Sequence, residues 1–119
     1  MADFERLEVY KQALEFVEYG VKILPLFGRG YGEFGDQLRR AMLSIPLNIA
    51  EGSGRRGKDR LHHYAIARGS AMECVALVDI ARATSLLDAE EAKQAKLLLD
   101  GLVRMLSVMS NPATKPPRR

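Results

Sequence analysis

Hydrophobic positions step through this chain by threes and fours almost from its start. Leu7, Tyr10, Leu14, Val17, Val21 and Leu24 fall on one stripe of a helix, the period of a helix packed lengthwise in a bundle. Val9, Ala13, Phe16 and Gly20 form a second stripe about 100° around the axis. The apolar face is therefore wider than one neighbour needs, and this helix is expected to touch more than one partner. Asp3 is the expected N-cap. "PLFGRGYGEFG", residues 25–35, then breaks the period and reads as a loop.

Three more helices follow. The second is expected from about Glu33 to Glu51, with Leu38, Met42, Ile45 and Ile49 inward and "GSGRRG" ending it. The third runs from about Lys58 to Leu86. Its stripe of Tyr64, Ala67, Ala71, Cys74, Val78 and Ala81 is mostly small, which permits close helix approach. The fourth opens with "DAEE", where Asp88 can cap and Glu91 can reach back in a capping box. It continues through Ala92, Ala95, Leu99, Leu102, Leu106 and Met109 until Asn111-Pro112 stops it. No strand alternation or internal repeat competes with this pattern. The expected architecture is all-α, an antiparallel up-down-up-down four-helix bundle over residues 1–110. Residues 111–119, "NPATKPPRR", have no apolar period and are expected to be a disordered basic tail.

Polar residues interrupt two of these stripes. On the third helix Ile66, Ser70, Glu73, Leu77 and Ile80 place a hydroxyl and a carboxylate in a row of core-type residues; on the second, Ser44 and Asn48 run beside the core. A carboxylate in such a row needs partners, because burial of an unpaired charge costs several kcal/mol, roughly. The expectation is a structural polar network drawing on Arg40, Ser44, Asn48, Glu51, Arg68, Ser70 and Glu73. Pro46 removes an intrahelical donor near Met42, which should bend the helix and offer that network a carbonyl. A ligand or catalytic site is the competing reading. It is the weaker one, since no histidine stands at helical spacing from these carboxylates and no metal-ligand constellation is present. His62 and His63 are adjacent, so their side chains diverge by about 100°. No enzymatic activity, metal or cofactor is expected.

Charge and composition sharpen the picture. A chain of 119 residues suits one domain, and its single cysteine, Cys74, excludes an internal disulfide and fits a reducing compartment. No segment approaches the ~20 apolar residues of a membrane span, so a cytoplasmic protein is expected. The net charge of +3 conceals a concentration of cations: residues 39–68 carry seven, against Glu51 and Asp59 alone. Arg55, Arg56, Lys58 and Arg60 surround glycines at the start of the third helix, where backbone N–H groups and the helix dipole also favour an anion. A nucleic-acid phosphate backbone would suit this run; a solvated surface loop is the competing reading. No aromatic residues interleave with it, so base stacking is not indicated.

The segments "FERLEVYKQALEFV" and "QLRRAMLSIPLNIAEGSGRRGKDRLHHYAIARGSAMEC" resemble the bacterial four-helix-bundle family encoded in intervening sequences of 23S ribosomal RNA genes. The likeness extends to about Met109. It is most specific at Gln37, Arg40, Ser44 to Pro46, Asn48 to Gly52, Ala67 to Ser70, and Glu73. That family is similar in turn to the accessory variability determinant of diversity-generating retroelements, a pentameric basic bundle that partners a reverse transcriptase and binds nucleic acid. The resemblance implies a ring-like homopentamer with RNA, DNA or a protein as partner, and supplies no catalytic residues. This chain departs from the pattern at His62 and His63, where bulky apolar or aromatic residues are more usual.

Overall fold

The computed structural model describes residues 2–28 and 30–113. Four helices run in sequence: α1 Ala2–Ile23, α2 Gly32–Ser53, α3 Gly57–Ala83 and α4 Ala89–Met109, with a 3-10 turn at Leu24–Phe27. Each packs against its neighbours in chain order, and α1 also packs against α4, which closes an antiparallel up-down-up-down bundle. No strand occurs among the described residues.

The core is assembled from the stripes that the helical period marks. Leu38, Met42, Ile45 and Ile49 of α2 are buried, as are Tyr64, Ala67, Ala71, Cys74, Val78 and Ala81 of α3 and Ala92, Ala95, Leu99, Leu102 and Leu106 of α4. Helix α1 touches both α2 and α4, as its wide apolar face suggests, but it buries its two stripes unequally. Val9, Ala13, Phe16 and Ile23 are its fully buried residues, whereas Leu7, Leu14 and Val21 are 60%, 44% and 55% exposed. The stripe through Gly20 wins because α1 and α2 approach too closely there for a side chain: a Cβ on Gly20 would overlap Met42 Sδ. The leucine stripe is left facing out.

Helix ends follow local chemistry. Asp88 accepts from Glu91 N at 2.8 Å and Glu91 Oε1 accepts from Asp88 N at 2.9 Å, so the expected capping box opens α4. Helix α3 stops at Ala83, short of Leu86. Ser85 adopts the left-handed conformation at φ 66°, Leu86 N–H turns back to Ala81 O at 2.9 Å, and Leu87 is buried. Within the expected loop, Phe27 is buried and meets Phe34 edge-on with ring centroids 5.0 Å apart. Asp3 lies inside α1 rather than ahead of it. From residue 114 onward the basic tail, with Lys115, Arg118 and Arg119, lies outside the described residues. No helix among the described residues is long and apolar enough to cross a membrane.

Candidate nucleic-acid interface and the α2–α3 polar row

Helices α2 and α3 bring two groups of polar residues together, one along their seam and one at the turn that joins them. The seam holds a continuous row. Asn48 Nδ2 donates to Ser44 Oγ at 3.1 Å and to Ser44 O at 3.0 Å, and Ser70 Oγ donates across to Ser44 Oγ at 2.8 Å. Asn48 Oδ1 lies 3.0 Å from His63 Nδ1. Since the amide oxygen can only accept, Nδ1 carries the proton, which leaves Nε2 of a neutral ring as the acceptor. All four residues are half-buried. Among the described residues no polar side chain is fully buried and no buried side-chain N or O lacks a partner.

The expected network is thus narrower than the seven residues suggest, and it recruits one more. Ser44, Asn48 and Ser70 are joined; Arg40, Glu51, Arg68 and Glu73 are not part of the row. Glu73 is exposed and accepts from Gln37 Nε2 at 3.2 Å, and of its row on α3 only Leu77 is fully buried. Its companions Ile66 and Ile80 are likewise 38% and 50% exposed. Arg68 reaches the other way, donating to Ser107 Oγ of α4 at 2.7 Å. Arg40 is exposed. Helix α2 is unbroken through Pro46, and the row bonds the Ser44 carbonyl rather than that of Met42. His63 is the residue that sequence reasoning passed over. It stands seven positions before Ser70 on the same side of α3, so extending the Ser70 row back by two turns would have found it.

At the turn, two of the four clustered cations are engaged within the protomer. Arg55 bridges Glu51 at 2.6 Å and Asp59 at 2.9 Å. Its guanidinium hydrogen-bonds the Glu51 carboxylate, which is thereby held below the usual carboxylate range, and the Arg55 pKa is raised in return. Arg60 instead closes the end of α2. Its Nε donates to Arg55 O at 2.8 Å and Gly52 O at 3.3 Å, and Nη2 donates to Ser53 O at 3.3 Å. A cation on the free carbonyls of a helix C-terminus satisfies their hydrogen bonding and opposes the dipole. Arg56 and Lys58 remain exposed, with no ion pair among the described residues. Arg56 makes no side-chain cap, so the first N–H groups of α3 face solvent beside these two cations.

Elsewhere the chemistry is quiet. Cys74 is buried and its pKa is pushed up to about 12, mainly by burial, so the thiol stays protonated. No group of three or more potential metal ligands occurs among the described residues. The shallow depressions on the surface, one at Lys11, Leu14, Glu15, Val17 and Glu18 and one at Met72, Val75, Asp100, Val103 and Arg104, are not enclosed cavities.

The profile of the 23S rRNA-intervening sequence protein family matches residues 5–108, which includes the α2–α3 row and the turn. The chain belongs to that family. A solved structure similar to this family member is that of a protein of unknown function from the S23 ribosomal protein family of Bacteroides thetaiotaomicron. The two share a TM-score of 0.82 at 18% identity, over 89% of this chain and 97% of that one, a likeness of fold. No curated protein matches this family member.

Proposed function

We propose that the protein is a non-enzymatic homo-oligomer that contacts RNA or DNA through its phosphates, as an accessory factor rather than a catalyst. The observation that carries this reading is the pair Arg56 and Lys58, exposed at the start of α3 with no ion pair among the described residues. The Arg68–Ser107 bond places the last turns of α4 beside the first half of α3, so the chain leaves α4 at the same end of the bundle. Two cations per protomer are too few for tight binding at physiological salt; repetition around an oligomer multiplies them. A ring of five is the count that the resemblance implies. The test is a mobility-shift titration over a salt series with duplex DNA and structured RNA. Replacing both Arg56 and Lys58 by glutamine should reduce the log–log salt slope by about two units per engaged protomer. Arg55 and Arg60 should be left intact, because neutralising them opens the turn and confounds the result. Absence of any complex at low salt would end the nucleic-acid reading.

A protein-binding scaffold is the second reading, with a reverse transcriptase as one example of a partner. The outward stripe of Leu7, Leu14 and Val21 favours it.

A further inference from the structure

The turn that carries Arg56 and Lys58 also carries a hydrogen-bond acceptor that a phosphate cannot use. His63 is half-buried where α3 crosses the end of α2, and three contacts hold it. Asn48 Oδ1 takes the Nδ1 proton at 3.0 Å. The Asn48 amide cannot be turned the other way round, because its Nδ2 donates to the Ser44 carbonyl at 3.0 Å and a carbonyl only accepts. Gly52 brings α2 so close that a Cβ there would stand 3.1 Å from His63 Cβ. On the remaining side the exposed His62 ring meets the His63 ring edge-on, with centroids 5.8 Å apart.

The imidazole is thereby fixed in one tautomer, and Nε2, which bonds nothing among the described residues, is left as a bare acceptor. Its surroundings are cationic: Arg55, Arg56, Lys58 and Arg60 stand against Glu51 and Asp59, and both carboxylates are taken by Arg55. A polyanion drawn to this end brings phosphate oxygens, which accept and cannot donate. What can donate to Nε2 is a hydroxyl on the same backbone, and RNA carries one at every ribose, the 2′-OH. Amino groups of bases also donate, but no aromatic side chain interleaves with the four cations to hold a base out of its stack. Double-helical RNA needs no such platform, since its wide, shallow minor groove sets the 2′-hydroxyls beside the phosphates.

We infer that the α2–α3 turn binds double-helical RNA in preference to DNA, with His63 Nε2 accepting from a ribose 2′-OH while Arg56 and Lys58 hold flanking phosphates. The inference rests on the nucleic-acid part of the reading above and names its substrate class. His63 follows Lys58 by five residues, about 7.5 Å of helix rise, so one or two nucleotides span both contacts. Asn48 is then a positioning residue: it selects the tautomer that keeps Nε2 free of a proton.

The experiment is a mobility-shift titration of the full chain at low salt with three duplexes of one sequence: RNA, DNA, and 2′-fluoro RNA, which keeps the A form but has no 2′ donor. RNA should bind about fivefold more tightly than its 2′-fluoro analogue, the yield of one net hydrogen bond, and a second sequence should give the same ratio. His63→Phe, a ring of similar bulk without the acceptor, should bring that ratio to one and leave the salt slope unchanged. Arg56→Gln with Lys58→Gln should do the reverse, flattening the slope and keeping the ratio. Asn48→Ala, which releases the tautomer, should shrink the ratio as well, a readout that loss of stability alone does not move. Far-UV circular dichroism and thermal unfolding verify that each variant folds, and the comparison on the native chain needs no variant. Equal affinity of the native chain for RNA and its 2′-fluoro analogue, a ratio that changes with sequence, or one that survives in folded His63→Phe would overturn this inference and leave phosphate binding standing. No complex with any duplex would overturn both.

Discussion

Replacing Asn48 by alanine cuts the polar row at its centre. Its side chain donates twice to Ser44 and accepts from His63, three bonds in all. A net contribution of roughly 0.5–1.5 kcal/mol per bond applies when water is excluded; Asn48 is half-buried, so the lower end holds and the gross loss is about 1.5–2 kcal/mol. Alanine returns about 0.6 kcal/mol of helix propensity. The net loss is about 1 kcal/mol, which at ~2.1 cal/mol/K of unfolding entropy per residue lowers Tm by about 4 °C for a chain of this length. A single variant does not say where that energy lay. The double-mutant cycle of Asn48→Ala with His63→Ala does, because the propensity terms cancel and the coupling that remains should be about 0.5–1 kcal/mol. Urea unfolding followed by far-UV circular dichroism, at one protein concentration so that assembly contributes equally, gives all four values. Coupling within about 0.3 kcal/mol of zero would refute the row as a cooperative unit.

Three further outcomes follow from the packing and the charges. Gly52→Ala should destabilise despite alanine's better helix propensity. Its Cβ would stand 2.8 Å from the Tyr64 ring and 3.1 Å from His63 Cβ, an overpacking cost of about 1–3 kcal/mol readable as a lower Tm. Cys74 should not react with a thiol reagent at pH 8 in the folded protein and should react fully in denaturant; rapid labelling of the native chain would contradict its burial. The Glu51 carboxyl, held low chiefly by its hydrogen bond to Arg55, should titrate upward toward its ordinary value in Arg55→Gln when followed by NMR. Its folded-state pKa is depressed, so the pair's contribution is complete at neutral pH and is lost as pH falls through the carboxylate range. An unmoved Glu51 titration would deny the contact.

How far the sequence could be read depended on how many solutions each helix allowed. Helices α2, α3 and α4 each carry one dominant apolar stripe, and those stripes form the core, joined on α3 by Leu77 from the interrupted second row. Helix α1 carries two at nearly equal strength, and hydrophobicity alone favours the leucine-rich one. The decision rests on Gly20, whose missing side chain lets α2 come close, and a glycine scores poorly in any hydrophobic pattern. The polar row was legible where both partners lie within one turn of helix, as with Ser44 and Asn48. Across helices the Ser44–Ser70 pairing was legible too, but the partners of Glu73 and Arg68 were not, because each is placed on α3 beside a row it does not join, and tens of degrees about the helix axis separate a shared network from a surface contact. The basic cluster was legible as charge. That Arg60 binds three carbonyls of the preceding helix end depends on the turn's backbone path, which composition does not carry.

The Arg60 cap also bears on the order in which the chain folds. All three of its acceptors lie within eight residues of it, and Arg55 draws Glu51 and Asp59 together over a similar span. Closing so short a loop costs little chain entropy. The α2–α3 hairpin can therefore form from local information, with its turn clamped before α1 or α4 arrives, and contacts of short sequence separation are those that fast-folding bundles establish early. Helices α1 and α4, whose meeting joins the two ends of the chain, pay the larger closure entropy and dock onto a pair that already exists. In that sequence of events the outer face of α1 is among the last surfaces to be completed, so folding of the protomer precedes any encounter that face makes.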